Sequence, residues 1–254
     1  MTDNSTDLVT VITPIYNSSL TIVETVKSLQ EQDHKNWEMI CVVDKGTTDN
    51  SREIITQLSN SDSRIKLHEM ENDRGWGHAR TYGFTKAKGK FVAFLDADDL
   101  WLPNKLASQI NFMVKNNYKF TCTGYRRMSH GGNINNSVNF PPPKITYKDL
   151  LKNNSIGCLT VMLEREAIKN FRMANVPGED YIFWLELTGR RNINCFGLQE
   201  DLARYRITEN SLSRSYVKTV IQRWKVYRQF EKLSFITSLY LFINYIIAAS
   251  LKRI

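Results

Sequence analysis

Short apolar runs alternate with amphipathic stretches along the first hundred residues. The apolar runs have the length of strands, and the predicted strands are Leu8–Thr13, Trp37–Val43, Ile65–His68 and Phe91–Leu95. Between them apolar residues recur at helical spacing, and the predicted helices are Ser19–Gln32, Ser51–Leu58 and Gly75–Ala87. In the first helix the predicted buried stripe is Leu20, Val23, Val26 and Leu29. This alternation predicts βαβ units, and so an α/β fold whose mostly parallel central sheet is flanked by helices.

The pattern loosens after the first hundred residues. The predicted elements there are the helices Lys105–Lys115 and Asp180–Gly189 and the strands Phe120–Tyr125, Thr160–Leu163 and Ala203–Thr208. The stretch from Arg126 to Lys144 is rich in Gly, Asn and Ser and contains three consecutive prolines near its end. Such a composition predicts a long loop.

The C-terminal segment, residues 216–254, differs in kind. From Val217 to Leu233, apolar and basic residues alternate at helical spacing, which predicts a basic amphipathic helix. Ser234 to Leu251 carries no charge. As a helix it would measure about 27 Å, slightly less than a typical hydrocarbon core. We expect this segment to lie on an anionic membrane surface; the alternative is a helix that packs on the protein's own core or on a dimer partner.

Composition and charge leave several partners open. The chain has 254 residues, of which 42% are hydrophobic, enough for a globular core, and its net charge is +8. A basic protein has an anionic partner in nucleic acid, anionic lipid or a phosphorylated substrate. Nucleic acid fits worst, because the basic residues concentrate beside the apolar tail. The four cysteines show no metal-binding spacing, and the polar N-terminus does not resemble a signal peptide, so we expect a cytoplasmic protein.

Three carboxylates, Asp96, Asp98 and Asp99, directly follow the apolar run Phe91–Leu95. Ligands of open α/β sheets bind beyond the carboxyl ends of such strands. Because clustered like charges repel, a divalent cation would stabilise them, and oxygen ligands favour Mn²⁺ or Mg²⁺. The alternative is that Asp98 or Asp99 caps the helix that begins near Pro103.

Four motifs occur in the order seen in glycosyltransferase family 2. They are Val11–Asn17, Val43–Ser51, Leu95–Asp99 and Gly178–Tyr181. Over roughly residues 8–215 the chain resembles this family of inverting enzymes, which have a GT-A fold and use nucleotide-activated sugars and a divalent metal. The resemblance implies a catalytic domain in residues 1–215, with a nucleotide-sugar-binding half (1–100) and an acceptor half (101–215), followed by C-terminal helices (216–254).

The resemblance also implies a substrate class. We expect a hexosyltransferase-type enzyme that extends a glycan acceptor, such as a polyprenyl-diphosphate-linked saccharide, in bacterial surface polysaccharide synthesis (O-antigen or capsule). It would be attached peripherally to the inner face of the cell membrane. The alternatives are a non-catalytic nucleotide-sugar-binding module and a nucleotidyltransferase, which usually has a glycine-rich loop that the first strand here lacks.

The motif after the first strand is implied to hold the nucleotide base. By position, Thr13, Pro14 and Tyr16 would lie along the base, and Asp44 would contact base or ribose. From the residues alone, Tyr16 could equally be an ordinary core aromatic. Many family members have a second aspartate where this chain has Lys45. The base is therefore open, with UDP as the default.

Further positions are implied to approach the diphosphate. Gly75 and Arg80 fall in the segment that lies near the nucleotide, although Arg80 alone would suit a solvated helix face. Arg206, with Ser211 and Ser213, falls in the phosphate-side loop. A metal ion and an arginine stabilise the charge that develops on a leaving nucleoside diphosphate.

The family's metal motif and its catalytic base are implied by position as well. Asp96 and Asp98 match the family's DxD motif, for ribose and metal, and Asp99 would share either role. Asp180 would be the base that takes the proton of the acceptor hydroxyl, with Glu179 contacting the acceptor. The alternative for both acids of that pair is capping of the helix that they begin.

Overall fold

A mixed β-sheet of ten strands runs through the part of the chain that the computed structural model describes, residues 7–70, 75–207 and 216–251. The strands are β1 (Val9–Ile15), β2 (Trp37–Val43), β3 (Ile65–Glu69), β4 (Phe91–Phe94), β5 (Leu100–Trp101), β6 (Phe120–Ser129), β7 (Ile134–Asn139), β8 (Lys144–Ile145), β9 (Met162–Glu164) and β10 (Cys195–Ile207). The helices are α1 (Ile22–Gln30), α2 (Ser51–Ser61), α3 (Trp76–Lys86), α4 (Lys105–Asn116), α5 (Tyr147–Lys152), α6 (Glu179–Gly189), α7 (Tyr216–Lys225) and α8 (Phe235–Leu251).

The first half of the sheet is parallel, as the alternating pattern predicts. Its strand order is β3-β2-β1-β4, and every pairing within it is parallel. Along β4 the side chains alternate between two cores: Val92 and Phe94 face one, while Phe91 and Ala93 face the other. A strand buried on both faces is apolar throughout, which is why the sequence predicts these strands well.

The buried stripe of the first helix was predicted only in part. Val26 and Leu29 are buried, but Leu20 and Val23 are 82% and 50% exposed. The helix begins at Ile22, and Leu20 lies in the preceding turn, outside the helical register. The buried face of α1 therefore also includes small polar residues.

The second half of the sheet is mixed and departs from the prediction in three places. The predicted loop from Arg126 to Lys144 is wrong: β6 runs on to Ser129 and pairs with the antiparallel β7. The short helix α5 was missed, although Thr146 and Asp149 form a capping box at its start. Strand β10 begins well before Ala203 and is interrupted by register shifts. In the β6–β7 hairpin the side chains of β7 are almost all exposed, so no apolar alternation marks it in the sequence.

The C-terminal helices pack onto the domain that precedes them. A π-helical turn, Val226–Phe230, follows α7 and leads towards α8. Val226, Tyr227 and Leu241 are buried in the core that also contains Trp184 of α6. One face of the predicted membrane segment thus packs on the protein's own core. Among the described residues, the structure has no helix of sufficient length and apolarity to cross a membrane.

Candidate active site

The site lies where the parallel strands end. β1, β2 and β4 are neighbours in the sheet, and Tyr16, Asp44 and Asp96 follow within two residues of their carboxyl ends. Parallel strands end at one edge of a sheet, so the topology alone brings these three segments together.

A cavity of about 360 Å³ opens at this edge. Its size falls within the range of small-molecule sites. It is lined by Pro14, Ile15, Tyr16, Asp44, Gly46, Gly75, Trp76 and Ala79. Four of the predicted donor-binding residues, Pro14, Tyr16, Asp44 and Gly75, therefore meet around one cavity. Thr13 is fully buried and is not among the lining residues.

The carboxylate of Asp44 holds the cavity wall together. One of its oxygens accepts a hydrogen bond from the N–H of Gly46 at 2.7 Å, and the other accepts one from the N–H of Gly75 at 2.6 Å. Gly75 has a φ of +103°, and a Cβ there would lie 2.4 Å from the side-chain oxygen of Asn175. Only glycine suits this position. Asp44 thus fixes two loops against each other at the cavity.

Two aromatic side chains stand exposed at the cavity. Tyr16 is 50% exposed and Trp76 is 42% exposed. This exposure argues against the reading of Tyr16 as a core aromatic, and it leaves both rings accessible to a planar ligand. Trp76 and Gly46 were missed by sequence reasoning, although Trp76 directly follows the glycine turn. Lys45 is exposed and does not line the cavity.

Arg206 and Asp99 face inward and organise the turn after β4. Asp99 is 1% exposed, and one of its oxygens accepts the backbone N–H of Arg206 at 2.9 Å. The guanidinium of Arg206 donates to the carbonyl of Asp98 at 2.8 Å, to the carbonyl of His130 at 3.1 Å and to the carboxylate of Glu24 at 2.5 Å. Each guanidinium nitrogen of Arg206 is therefore engaged by the protein. Ser211 and Ser213, predicted for the same loop, lie outside the described residues.

The electrostatics of the turn suit a cation. Burial, reinforced by the nearby Asp96, raises the pKa of Asp98 to about 6. Burial also raises the pKa of Asp99, again reinforced by its acidic neighbours Asp98 and Asp96. A divalent ion would relieve this repulsion. The described residues contain no group of three His, Cys, Asp or Glu side chains placed to hold a metal. Mg²⁺ is commonly bound by one or two carboxylates together with substrate phosphates, and Asp96 and Asp98 fit that arrangement.

Arg80 joins the two halves of the site. It is 3% exposed, so it is not a residue of a solvated helix face. Its guanidinium donates to Asp96 at 2.5 Å and to Glu179. One cation thus links the carboxylate turn after β4 to the start of α6, although the two acids are far apart in sequence.

The acidic pair Glu179–Asp180 begins α6. The N-cap is Gly178, with a φ of +73°, so neither acid caps the helix in the usual way. The backbone N–H of Tyr181 donates to Asp180 at 2.7 Å. Burial raises the pKa of Glu179 to about 7 and also raises that of Asp180, while Arg80 opposes both shifts. Burial therefore favours the protonated form of both carboxyls, whereas the charge of Arg80 favours the ionised form.

Sequence reasoning also missed Cys158, whose thiol lies close enough to Arg80, Asp96 and Asp180 for their charges to influence its pKa. Burial raises the pKa of its thiol well above the usual value, so the group is uncharged. Nothing in its sequence neighbourhood marks it, because it belongs to a short 3-10 helix, Cys158–Thr160, far from the motifs in sequence.

The fold and the site define a GT-A glycosyltransferase: a parallel half-sheet with a cavity and a carboxylate turn at its edge, facing an acidic helix start. A family model described as glycosyl transferase family 2 matches residues 10–171. The chain belongs to glycosyl transferase family 2.

Two relatives match almost end to end. One, from Bacillus subtilis (strain 168), is provisionally named a teichuronic acid biosynthesis glycosyltransferase, TuaG; it is 39% identical over 97% of this chain and 98% of its own. The other is the Escherichia coli protein WfgD, a UDP-Glc:alpha-D-GlcNAc-diphosphoundecaprenol beta-1,3-glucosyltransferase. It is 37% identical over 97% of this chain and 95% of its own.

Solved structures share the fold at low sequence identity. Residues 1–349 of S. aureus TarS, in complex with UDP-GlcNAc, superpose with a TM-score of 0.68 at 19% identity, over 94% of this chain and 71% of that one. The mannosyltransferase PcManGT from Pyrobaculum calidifontis, in complex with GDP-Man and Mn²⁺, gives a TM-score of 0.65 at 19% identity, over 87% and 62%. These similarities confirm the predicted GT-A fold.

Proposed function

We propose that this glycosyltransferase moves a sugar, with inversion, from a UDP-sugar to a hydroxyl of a polyprenyl-diphosphate-linked saccharide. The reaction serves bacterial surface polysaccharide synthesis at the inner face of the cell membrane. The observation that carries the proposal is the Arg80 bridge, because it places the donor-side carboxylate Asp96 and the acceptor-side pair Glu179–Asp180 around one buried cation. The names of the relatives support the substrate class: WfgD uses UDP-Glc and a diphosphoundecaprenol-linked acceptor.

The donor occupies the cavity beside β1 and α3. Its base lies between the exposed rings of Tyr16 and Trp76, above the wall that Asp44 holds in place. Asp96 and Asp98 would hold the divalent ion, Mn²⁺ or Mg²⁺, and the ion would supply positive charge to the diphosphate. The buried positions of Asp99 and Arg206 favour a supporting role for both, so we assign them to holding the carboxylate turn rather than to direct contact with metal or diphosphate.

Asp180 acts as the base. It takes the proton of the acceptor hydroxyl while that oxygen attacks the anomeric carbon from the face opposite the nucleotide. The new glycosidic bond forms as the bond to the diphosphate breaks, and UDP leaves with the electron pair. The raised pKa of Asp180 brings it nearer to working pH, which favours this role. Glu179, which Arg80 holds in place, orients the acceptor.

The proposal is tested with purified protein, a panel of nucleotide sugars and a polyprenyl-diphosphate-linked N-acetylhexosamine acceptor. We expect transfer from a UDP-sugar that stops in excess EDTA and resumes with Mn²⁺, and a product whose anomeric configuration, read by NMR, is opposite to that of the donor. Undiminished transfer in EDTA would contradict the requirement for a divalent metal. A product with the anomeric configuration of the donor would contradict inversion. Donor binding without any transfer would instead support the non-catalytic module.

A further inference from the structure

The outer face of α8 is an apolar surface that no described part of the chain covers. Six of its side chains are 41% to 80% exposed. We call them the α8 stripe: Phe235, Ile236, Leu239, Tyr240, Ile243 and Ile247. Their spacing places them on one side of the helix. Contiguous exposed apolar patches of this kind usually mark an interaction site.

The opposite face of α8 explains why the stripe points outward. Ser238 is fully buried and Leu241 is 6% exposed, so this side packs on the domain. Phe242 and, at the edge of the stripe, the partly exposed Phe235 pack edge-on against Trp224 of α7, with ring centroids 5.2 and 5.9 Å from that of Trp224. The helix is therefore fixed in orientation, lying along the protein rather than standing free of it.

The charges around the stripe indicate its partner. The helices that pack against α8 carry three exposed cations, Lys148 and Lys152 on α5 and Lys225 on α7, and one exposed acid on α5, Asp149, whose carboxylate accepts hydrogen bonds from Thr146. The nearby acid Glu231 is held by the protein itself, because its carboxylate accepts a hydrogen bond from the hydroxyl of Tyr147 at 2.5 Å. An apolar stripe beside basic side chains complements an anionic lipid surface, which accepts apolar groups and attracts cations. A second copy of the chain fits less well, because the lysines beside its α8 stripe would face the lysines of the first copy and repel them.

We infer that the α8 stripe is the surface by which the enzyme docks onto an anionic phospholipid bilayer, with α8 lying in the interface. Its 17 residues form a helix of about 26 Å, and the buried inner face keeps it parallel to the domain surface. This inference rests on the proposed function, since a polyprenyl-linked acceptor presents its saccharide at such a surface.

The docking surface and the candidate base belong to one packed unit. The guanidinium of Arg223 on α7 contacts two aromatic rings. Its central carbon lies 3.9 Å from the ring centroid of Tyr181 and 4.5 Å from the ring centroid of Tyr245. Tyr181 directly follows Asp180, and Tyr245 lies on α8. A Cβ on Gly178 would lie 2.3 Å from the side chain of Gln222, so α7 also packs tightly against the start of α6. Docking through α8 therefore holds the start of α6 at a fixed orientation to the membrane.

Flotation with lipid vesicles tests the inference without any transfer reaction, so its failure is distinct from failure of the proposed function. The full chain is mixed with vesicles of phosphatidylcholine, alone or with an equal part of phosphatidylglycerol. We expect co-flotation with the anionic vesicles, weakened by salt because the attraction is screened. The double variant Ile236→Ser/Ile243→Ser should bind about tenfold more weakly, because it loses the apolar groups that enter the interface.

The matched control is Ile134→Ser/Phe140→Ser, which removes two apolar side chains of similar exposure, 49% and 52%, far from α8 in the sequence. It should float like the wild type, and both variants should keep the wild-type melting temperature. A charge variant, Lys148→Gln/Lys152→Gln/Lys225→Gln, should lose the preference for anionic vesicles, whereas Lys66→Gln/Lys88→Gln/Lys115→Gln should retain it. Equal binding by wild type and stripe variant would overturn the inference. So would self-association of the wild type that the stripe variant loses, with no vesicle binding by either.

Discussion

At the scale of single residues, the charge of Asp98 destabilises the fold when no cation is bound beside it. Burial and Asp96 raise its pKa in the folded protein to about 6, above the ordinary value of 3.8. A carboxyl whose folded pKa is raised stabilises the fold while it is protonated. That contribution is fully present below its ordinary pKa and is lost as the pH rises through about 6.

The prediction is that, in EDTA, the wild-type melting temperature falls between about pH 5 and pH 7, and that Asp98→Asn reduces this fall. Mn²⁺ with UDP should restore the wild-type melting temperature at neutral pH and should do little for Asp98→Asn. Thermal unfolding across this pH range provides the measurement. The control Glu200→Gln changes an exposed acid and should behave as wild type. If Mn²⁺ with UDP stabilises Asp98→Asn as much as the wild type, Asp98 is not a metal ligand.

Trp76 carries a second prediction at this scale, because its exposed ring lines the donor cavity. Trp76→Ala should weaken UDP binding about tenfold, roughly 1.4 kcal/mol, which is the size of one aromatic contact. Calorimetric titration of UDP measures it, and Phe140→Ala, which changes a comparably exposed aromatic, is the control. An unchanged dissociation constant for UDP would show that the nucleotide base does not bind against Trp76.

At the scale of elements, prediction from sequence succeeded where a segment is buried and failed where it is not. Strand β2 has the predicted bounds because all of its residues are buried. The β6–β7 hairpin was taken for a loop because its outer strand is polar, and backbone pairing leaves no trace in the side-chain pattern. The nearly complete burial of Asp99, compared with the partial burial of Asp98, could likewise not be predicted from the sequence, because it depends on the backbone of Arg206 on β10.

The turn that begins α3 gives the prediction at this scale. Gly75→Ala introduces a Cβ at a left-handed φ and against Asn175, so it should lower the free energy of unfolding by about 1–3 kcal/mol and weaken UDP binding. Gly131→Ala is the matched control, because a Cβ there would meet no atom within 4 Å. Chemical denaturation and UDP titration of both variants provide the comparison. If both variants have the same free energy of unfolding and the same affinity for UDP, position 75 does not require glycine.

At the scale of the whole molecule, contacts between distant segments decide the architecture. The motifs predicted the fold and most of the cavity wall, because three of the four motifs lie at the carboxyl ends of strands of the parallel half-sheet. They could not predict the bridge from Arg80 to Glu179, which depends on how α3 and α6 pack. The division at residue 215 follows the extent of the family resemblance, and it does not show that Val226, Tyr227 and Leu241 share a core with α6.

A chain that ends at Ser215 should therefore be less stable than the full chain. It loses three buried apolar side chains worth about 2 kcal/mol each, and its melting temperature should drop by about 10 °C or more. The variant Ile236→Ser/Ile243→Ser is the control, since it alters the exposed stripe and leaves the packing in place. An unchanged melting temperature on truncation would show that residues 216–254 do not stabilise the domain on which they pack.

The most direct test of the central claim is the turnover of Asp180→Asn with the acceptor that the wild type uses. The variant keeps the shape of the side chain and removes the proton acceptor. Its kcat should therefore fall by about 100- to 10,000-fold, while the dissociation constant of the UDP-sugar stays near the wild-type value. Glu186→Gln, on the same helix, should retain wild-type turnover. A variant Asp180→Asn that turns over at the wild-type rate, or that loses donor affinity at unchanged kcat, would contradict the account.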